Sequence, residues 1–426
     1  MQPEYSVQQL RRVSARNMQN MASFVAGLLL AAFLVLQPNL PAADEPRGQW
    51  TDGDPQQTLA EPHLLGAATL LPTGQVIAAG GVDRKSPGFP AITTAELYDP
   101  LARRWTKTEP LNVPRWSLDA ITLPSGKALF AGGASAFSPA PALDSAELYD
   151  PQTGRFSLTS NTLSVGRQSF GISLLTDGRV LLTGGNTSGN NLGGSGVTAV
   201  DIYDPETDRF QAAAALHQGR ALHAQLTLRD GRVVVIGGAQ NSAEIYDPQA
   251  NAWTLLSGAL PTTLKDNKAF EMPDGRIFLA AGQNTVDGLT TDATWVLNPD
   301  SGELLPGPGM AGFNYGPPGV QVGVSDYSAF DLFPAGHSLA GRYFLYAGGE
   351  HDPPEGLDIE YNSASIFDVA NDRFINVGPM PFVHDDHTES LLRINDRGNP
   401  EVLLFGGNST RGTSRFELVL STLPAH

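Results

Sequence analysis

Basic side chains occupy one position of a pattern that recurs along the chain, just before an apolar segment. The clearest members are His63, Arg115, Arg167 and Arg220, and weaker candidates are Lys265, Asp326 and His384. Guanidinium groups bind carboxylates through two parallel hydrogen bonds, so arginines gathered around one centre would form a positive funnel for an anionic ligand. The alternative is structural, with each arginine paired to an acidic residue of a neighbouring repeat unit. The sequence leaves both roles open.

Histidines and carboxylates form a second group of candidates. His223 and His387 hold equivalent positions three residues inside their apolar segments, where they could bind a ligand, transfer a proton or be neutral core histidines. Two stretches, HDDH at 384–387 and EHDPPEGLDIE at 350–360, offer side chains that Zn²⁺ or Ca²⁺ accepts. The candidate metal ligands are His351, Asp352, His384, Asp386 and His387. Their spacing matches no established metal motif, and solvated surface loops are the alternative.

The sequence contains no motif that indicates a nucleophile or a bound nucleotide. It has no G-x-S-x-G, and the stretch GGSGVT that begins at Gly193 lies between strand-like segments rather than before a helix. We therefore expect no cofactor.

The repeat itself predicts the elements that position these residues. Apolar segments end in glycine pairs or near-pairs seven times, at 80–81, 132–133, 184–185, 237–238, 281–282, 348–349 and 406–407, and the first four are 52, 52 and 53 residues apart. Each unit begins with two apolar segments around a turn such as Asp177-Gly178, which predicts an antiparallel hairpin. A period near fifty with several short strands predicts propeller blades.

A second motif follows each glycine pair. AELYDP occurs at Ala95 and Ala146, VDIYDP at Val200 and AEIYDP at Ala243, and a bulky residue follows seven positions after each tyrosine. Asp-Pro predicts a turn between the third and fourth strands of a blade. Aromatic side chains placed so regularly indicate wedges between adjacent sheets rather than ligand contacts.

The apolar run with its glycine pair, then tyrosine, then tryptophan, resembles the kelch repeat over residues 47 to 420. The resemblance implies a β-propeller of four-stranded blades, and known kelch propellers bind acidic peptides or an anionic sugar with arginines at comparable positions. Galactose-oxidase-like copper enzymes share this fold, but their centre needs a tyrosine crosslinked to cysteine, and this chain has no cysteine. An epimerase or mutarotase acting on an anionic sugar needs only the arginines and an acid/base group such as His223 or His387.

The seventh unit lacks its fourth strand, and the segment around Trp50 resembles the one around Trp105. We therefore expect a seven-bladed propeller whose last blade is completed by the N-terminal strand, which leaves no open sheet edge. Long connections such as 82–94, 134–144 and 350–363 belong on one side of such a ring, and only tight turns are expected on the other. Binding sites concentrate on long loops of a rigid scaffold, so the long-loop face is the expected functional face.

The first 43 residues differ from the rest of the chain. Arg11, Arg12 and Arg16 precede an apolar run from Met21 to Leu36, which predicts an export signal or an N-terminal anchor at 1–43 and a propeller domain at 44–426. The total formal charge is −17, and this segment holds three arginines and one glutamate, so the propeller carries −19. Such a surface repels nucleic acid and anionic membranes.

These observations predict an exported binding module, periplasmic or secreted unless the apolar segment stays in the membrane. Its long-loop face would bind a glycan, an acidic peptide or another protein through His63, Arg115, Arg167, Arg220, His223, His384 and His387. An anionic-sugar epimerase is the alternative.

Overall fold

The computed structural model describes residues 47–51, 59–61, 63–83, 85–136, 141–188, 196–280, 282–310, 327–334, 336–351, 359–382, 388–395, 397–406 and 412–419. Over these residues the chain forms β-strands and connections, arranged as seven sheets in a ring. No helix in the described residues is long and apolar enough to cross a membrane.

The strands follow one another in blade order. Blade 7 takes its outer strand from the start of the chain, β1 (Arg47–Thr51). Blade 1 contains β2 (Ala67–Leu70), β3 (Val76–Ala79), β4 (Ala95–Asp99) and β5 (Arg104–Lys107). Blade 2 contains β6 (Asp119–Thr122), β7 (Ala128–Ala131), β8 (Ala146–Asp150) and β9 (Arg155–Leu158). Blade 3 contains β10 (Gly171–Leu174), β11 (Val180–Thr183), β12 (Val200–Asp204) and β13 (Arg209–Ala212).

The next three blades carry additions. Blade 4 contains β14 (His223–Thr227), β15 (Val233–Gly237), β16 (Gln240–Asp247) and β17 (Ala252–Lys265). Blade 5 contains β18 (Lys268–Glu271), β19 (Ile277–Ala280), β21 (Thr294–Leu297) and β22 (Leu304–Pro306). The short strand β20 (Gln283–Asn284), between β19 and β21 in the chain, pairs with β17 and so joins the sheet of blade 4. Blade 6 contains β23 (Ser328–Asp331), β24 (Tyr343–Ala347), the ribbon of β25 (Glu350–His351) and β26 (Ile359–Glu360), β27 (Ala364–Asp368) and β28 (Arg373–Asn376). Blade 7 contains β29 (Thr388–Ile394), β30 (Pro400–Phe405) and β31 (Thr413–Val419).

The second strand of each blade lies in the core. All four residues of β3, β7 and β11 are buried, because sheets pack against both faces of these strands. The turn before each of these strands is tight. At Asp177-Gly178, for example, the Gly178 amide donates to Leu175 O at 3.0 Å with φ of 89°, and the Asp177 carboxylate accepts from the Arg179 amide.

The recurring aromatic residues pack between blades. Tyr98 faces Trp105 across β4 and β5, with ring centroids 5.1 Å apart. Trp105 also contacts Phe405 of blade 7 at 4.6 Å, and its Nε1–H donates to Thr413 Oγ1 at 3.0 Å. The pairs Tyr149–Phe156, Tyr203–Phe210 and Tyr246–Trp253 repeat the arrangement, with centroid separations of 4.9, 4.8 and 4.9 Å. These rings therefore have the wedge role expected from the sequence.

The ring is closed as the sequence predicts. Strand β1 pairs antiparallel with β31 over five residues, from Arg47 opposite Val419 to Thr51 opposite Arg415. Trp50 faces Phe416, with ring centroids 4.9 Å apart. The seven four-stranded blades and the closing N-terminal strand are confirmed.

One expectation about the fold is wrong. The sequence predicts only tight turns on the face opposite the long loops, but in blade 6 the connection between β23 and β24 runs from residue 332 to residue 342. No Asp-Gly or equivalent turn pair links these two strands. Instead the Asp331 carboxylate accepts hydrogen bonds from the amides of Phe333, at 3.1 Å, and Gly341, at 2.7 Å, and so ties both ends of the connection together.

Removing β1 should weaken the whole ring, because it uncovers the edge of β31 and opens the sheet that joins the two ends of the propeller. A chain that starts at Glu61 should melt well below one that starts at Asp44, as measured by circular dichroism. The single substitution Trp50→Ala should cost about 3 kcal/mol of unfolding free energy through the lost contact with Phe416. Equal melting temperatures for the two chains would contradict closure by β1.

Candidate functional site

The residues that lead into the first strands lie at the hub of the ring but are inaccessible. His63, Arg115, Arg167 and Arg220 each have 0% exposed surface. A guanidinium or imidazolium buried this deeply must find partners inside the protein, because an unpaired buried charge is strongly unfavourable.

The terminal nitrogens of each arginine donate hydrogen bonds to groups of the arginine's own blade. In blade 4, Arg220 Nη1 donates to Gly237 O at 2.7 Å and to Ser242 O at 3.1 Å, and Nη2 donates to Glu244 Oε1 at 2.9 Å. In blade 2, Arg115 makes the same contacts with Gly132 O, Ser145 O and Glu147, at 2.8, 2.8 and 3.0 Å. In blade 3, Arg167 donates to Gly184 O, Ala199 O and the Asp201 carboxylate. We call each such set of contacts a clamp.

His63 provides the clamp of blade 1. Its Nδ1 lies 2.7 Å from Gly80 O and its Nε2 lies 3.2 Å from Glu96 Oε2. A carbonyl and a carboxylate both accept, so both ring nitrogens donate at once only in the charged imidazolium. His63 therefore contacts the same two kinds of partner as the three arginines, the carbonyl of the first glycine and the acid of the AELYDP-type motif.

The acidic partner of each clamp also holds the chain that enters the blade. Glu147 accepts from the amides of Asn112, at 2.7 Å, and Val113, at 3.0 Å. Glu244 accepts in the same way from His217, at 2.8 Å, and Gln218, at 3.1 Å. Burial opposes ionisation of Glu244, but its bonds with Arg220 and His217 outweigh that effect and lower the pKa of the carboxyl.

The glycine pairs fit against the backbone of the next blade. The Gly81 amide donates to Arg115 O at 2.9 Å, and a Cβ on Gly80 would lie 2.5 Å from that same oxygen. The amides of Gly133 and Gly185 make the equivalent bonds with Arg167 O and Arg220 O, at 2.9 and 2.8 Å. The pair is therefore required by close approach of two backbones.

A relay of backbone hydrogen bonds surrounds the central channel beside the clamps. The amide of Ser117 donates to Leu65 O at 2.8 Å, Ser169 to Ser117 O at 3.3 Å, Leu222 to Ser169 O at 2.9 Å, and Asp266 to Leu222 O at 2.9 Å. Each of these five residues has φ between 51° and 56°. The left-handed conformation is uncommon outside glycine, and it turns each amide towards the preceding blade.

The channel mouth beside this relay contains a polar cavity of about 360 Å³. The polar side chains among its lining residues come from blades 2 to 5: Asp119, Ser169, His223, Gln225, Asp266, Asn267 and Lys268. Two carboxylates, an ammonium, two amides, an imidazole and a hydroxyl can together bind a ligand that both donates and accepts hydrogen bonds.

His223 is a poor candidate for proton transfer. Its Nε2 lies 2.8 Å from Thr183 Oγ1, and the Thr183 hydroxyl donates to Gln225, so Nε2 carries the proton. Its Nδ1 is buried and has no hydrogen-bond partner among the described residues. Burial first, and the charge of Arg220 second, lower the pKa of His223 to about 3. At neutral pH the ring is therefore uncharged and has no acidic proton to give.

The structure gives the three arginines a structural role, but their acidic partners belong to their own blades and not, as the structural alternative supposed, to a neighbouring unit. Their guanidinium groups do not face the channel as a funnel, because every terminal nitrogen is bound within a blade. The missed residues are the acids Glu96, Glu147, Asp201 and Glu244. The signal for them was present, since each is the second residue of an AELYDP-type motif.

Blade 5 replaces the charged clamp with apolar residues. The relay aligns Asp266 with Leu222, which places Leu264, rather than the expected Lys265, at the register of Arg220. The β21 residue equivalent to Glu244 is Trp295. Leu264 and Trp295 are both buried in one core cluster. The basic and the acidic residue are thus lost together.

The remaining candidate residues from the sequence cannot be placed in the structure. Asp326, Asp352, His384, Asp386 and His387 lie outside the described residues, and the side chain of His351 does as well. Within the described residues, no group of three or more histidine, cysteine, aspartate or glutamate side chains could hold a metal ion. The metal hypothesis for the 350–360 and 384–387 stretches stays a prediction.

Known proteins resemble this chain at modest identity. No protein-family model matches it. Kelch-like protein 36 of Bos taurus is 25% identical over 288 residues, which cover 65% of this chain and 44% of that protein. Galactose oxidase of Gibberella zeae is 26% identical over 170 residues, which cover 37% of this chain and 23% of that protein. Alpha-scruin of Limulus polyphemus is 26% identical over 180 residues, which cover 41% of this chain and 19% of that protein. The chain thus spans less than half the length of these relatives.

Among solved structures, a fungal alcohol oxidase of the AA5 family in complex with copper is similar in fold, with a TM-score of 0.60 and 13% identity. The match covers 88% of this chain and 76% of that one. Side chains for a copper centre crosslinked through cysteine do not fit here. The chain has no cysteine, and the buried Tyr327 hydroxyl is committed to Ala280 O at 2.6 Å.

The clamp can be tested by copying blade 5 into blade 4. Arg220→Leu alone leaves the buried Glu244 carboxylate without its guanidinium partner and should cost about 3–5 kcal/mol of unfolding free energy. The double variant Arg220→Leu/Glu244→Trp should recover most of that loss, because it restores an apolar pair of the blade 5 type. Denaturant unfolding of the four proteins in this cycle measures the coupling. Additive losses in the double variant would show that the two residues do not act as a unit.

The clamps should also make the ring sensitive to acid. The pKa of Glu96, like that of Glu244, is lowered from its usual 4.5, because bonds from His63 and backbone amides outweigh burial. Stability from such a group is complete above that value and is lost as the pH falls through the lower, folded-state pKa. Glu244→Gln should therefore lower the melting temperature at pH 7 and flatten its decline in acid. Thermal melts across the acidic range check this, with exposed Glu206→Gln as control; parallel curves for Glu244→Gln and the unsubstituted chain would refute it.

Proposed function

Because this chain is a kelch-repeat β-propeller, we propose that it is a binding module whose long-loop face binds another protein. The scaffold under that face is rigid, since the clamps hold the chain that enters blades 1 to 4, and the glycine pairs and the amide relay tie successive blades together just below it. Relatives such as alpha-scruin and Kelch-like protein 36 share the repeat, which agrees with a binding role. The fold by itself does not choose between functions.

The observation that carries the proposal is the presentation of Phe89 in the β3–β4 connection of blade 1. Its side chain is 48% exposed, and its φ is 48°. The connection is held in shape around it: the Asp83 amide donates to Pro90 O at 2.9 Å, and the Asp83 carboxylate accepts from Lys85 N and Ser86 Oγ. A bulky residue held in a left-handed conformation and turned to solvent suits an aromatic anchor for a partner.

A second exposed apolar residue lies on the same face. Val286, in the β20–β21 connection of blade 5, is 79% exposed. Its turn is closed by hydrogen bonds from Asn284 N to Leu289 O, at 2.8 Å, and from Gly288 N to Asn284 O, at 2.9 Å. Apolar contacts from two blades, together with the polar cavity at the channel mouth, match an interface with apolar anchors and polar hydrogen-bonding groups.

A glycan is the second candidate ligand, and the cavity of about 360 Å³ favours it. Its carboxylates, amides and ammonium can bind sugar hydroxyls, which donate and accept in equal measure. Among the described residues that line the cavity, the cation that could bind an anionic ligand is Lys268, since the arginines are bound inside their blades. Export from the cytoplasm belongs to the same proposal, and N-terminal sequencing of the natural protein tests it by locating cleavage near Ala43.

Two exposed residues of blade 1 allow a matched test of the binding face. Leu101 is 78% exposed on the β4–β5 turn, which lies on the opposite face from Phe89. Peptides selected by display on the full chain should lose more than about tenfold in affinity with Phe89→Ala and stay within about twofold with Leu101→Ala. The reverse pattern, or equal effects of both substitutions, would refute the proposed face.

The glycan candidate needs a separate measurement on the same proteins. Binding to a glycan array should be lost with Lys268→Ala and Gln225→Ala and retained with Phe89→Ala, since the first two line the cavity. Titration by NMR would then identify the bound sugar and report any chemical change in it. If no glycan binds or cavity substitutions leave binding intact, the glycan candidate is excluded.

A further inference from the structure

The opposite end of the innermost strands contains a second cavity, of about 490 Å³, far from the long loops along those strands. Its floor is largely apolar, with Leu226, Phe270 and Phe344 among the lining residues. The Phe270 and Phe344 rings stack at 4.5 Å, which holds the floor in place. Polar groups enter the cavity from Arg229, Glu271 and Asp331, and Ala340 of the long blade 6 connection covers one side.

Two adjacent blades that border the cavity carry a carboxylate at the last residue of the first strand, a register whose residue type varies around the ring and is leucine in blades 1 and 3. In blades 2 and 4 that residue is a threonine that closes the seam to the preceding blade: Thr122 Oγ1 donates to Leu70 O at 2.7 Å, and Thr227 Oγ1 donates to Leu174 O at 2.9 Å. In blades 5 and 6 the same register is occupied by Glu271 and Asp331. An ionised carboxylate cannot donate a hydrogen bond, so these residues do not close the seam in this way.

The charge of the cavity is not balanced internally. Arg229 is committed to the backbone, with Nη1 donating to Met272 O at 2.7 Å and Nη2 to Glu271 O at 3.2 Å, and it lies 3.9 Å from the Glu271 carboxylate. Asp331 receives two backbone amides, and no salt bridge reaches it from the described residues. One guanidinium therefore faces two carboxylates over an aromatic floor.

We propose that this cavity is a binding site for a small amphipathic cation, an amine whose apolar body rests on Phe270 while its ammonium lies between Asp331 and Glu271. A cation supplies the missing charge, and the volume is in the range of small-molecule sites. Burial raises the pKa of Asp331 to about 6 and also raises that of Glu271, so an ammonium would relieve a cost that both groups bear at neutral pH. The site is independent of the long-loop face.

Three probes of one shape test the proposal on the full chain: phenethylamine, phenethyl alcohol and phenylacetate, titrated by calorimetry and followed by NMR. Phenethylamine should bind at least about tenfold more tightly than phenylacetate, with the neutral alcohol between them. Its affinity should rise between pH 5 and pH 7 as Asp331 ionises. Phenylacetate that binds as well as the amine, or no saturable amine binding up to ~10 mM, would overturn the proposal.

Variants separate binding from a structural role of Asp331, since its carboxylate also ties the 332–342 connection. Ala340→Leu fills the cavity without altering a charge and should lower the affinity for phenethylamine by about tenfold or more. Glu271→Gln should lower the affinity for phenethylamine by a smaller factor and should reduce the preference for the amine over the alcohol. Glu206→Gln, an exposed carboxylate on the β12–β13 turn outside the cavity, is the control and should change nothing. Unchanged amine binding in Ala340→Leu, with its melting temperature preserved, would overturn the assignment.

Discussion

The hub of this propeller depends on backbone hydrogen bonds made where there is no room for side chains. The carbonyls that precede the first strands of blades 2, 3 and 4 accept the amide of a glycine in the preceding blade, as Arg115 O does from Gly81 at 2.9 Å. A second relay joins left-handed residues of successive blades around the channel. Buried amides and carbonyls left unpaired would cost free energy at every blade, so the glycine pair is the residue choice that the crowded backbone allows.

Charged side chains are buried at the hub because they, too, form hydrogen bonds with backbone groups there. The side chains that lead into blades 1 to 4 pair with an acid and bond the carbonyl of a glycine, and the arginines also bond a carbonyl near the start of the third strand. Blade 5 reaches a comparable packing with Leu264 and Trp295. Buried ion pairs and apolar pairs of similar size can be nearly equivalent in stability, but half of an ion pair cannot replace the whole. This explains why both partners are absent from the same blade.

Most of the fold could be predicted because its signals are local and repeated. Glycine pairs, two-residue turns and the tyrosine-to-tryptophan spacing each fix a hairpin or a wedge, and Trp50 indicated the closing strand. The site was harder to predict than the fold. The alignment of the repeat units places Arg115 and Arg220 near the hub, but it does not give the direction of their guanidinium groups. That direction is set by Glu147 and Glu244, about thirty residues further along. The 332–342 connection was missed because it lacks a turn motif.

The two faces of the ring differ in how their seams are closed, and this difference governs where ligands can enter. On the long-loop side, seams are closed by backbone bonds that no single side chain can remove, so that face serves as a stable platform. On the other side, threonine side chains close two seams, as Thr122 and Thr227 do. Blades 5 and 6 carry Glu271 and Asp331 at that register, and the long 332–342 connection lies beside them. A repeat fold can therefore gain a site from a change of residue type at one register combined with a longer connection next to it.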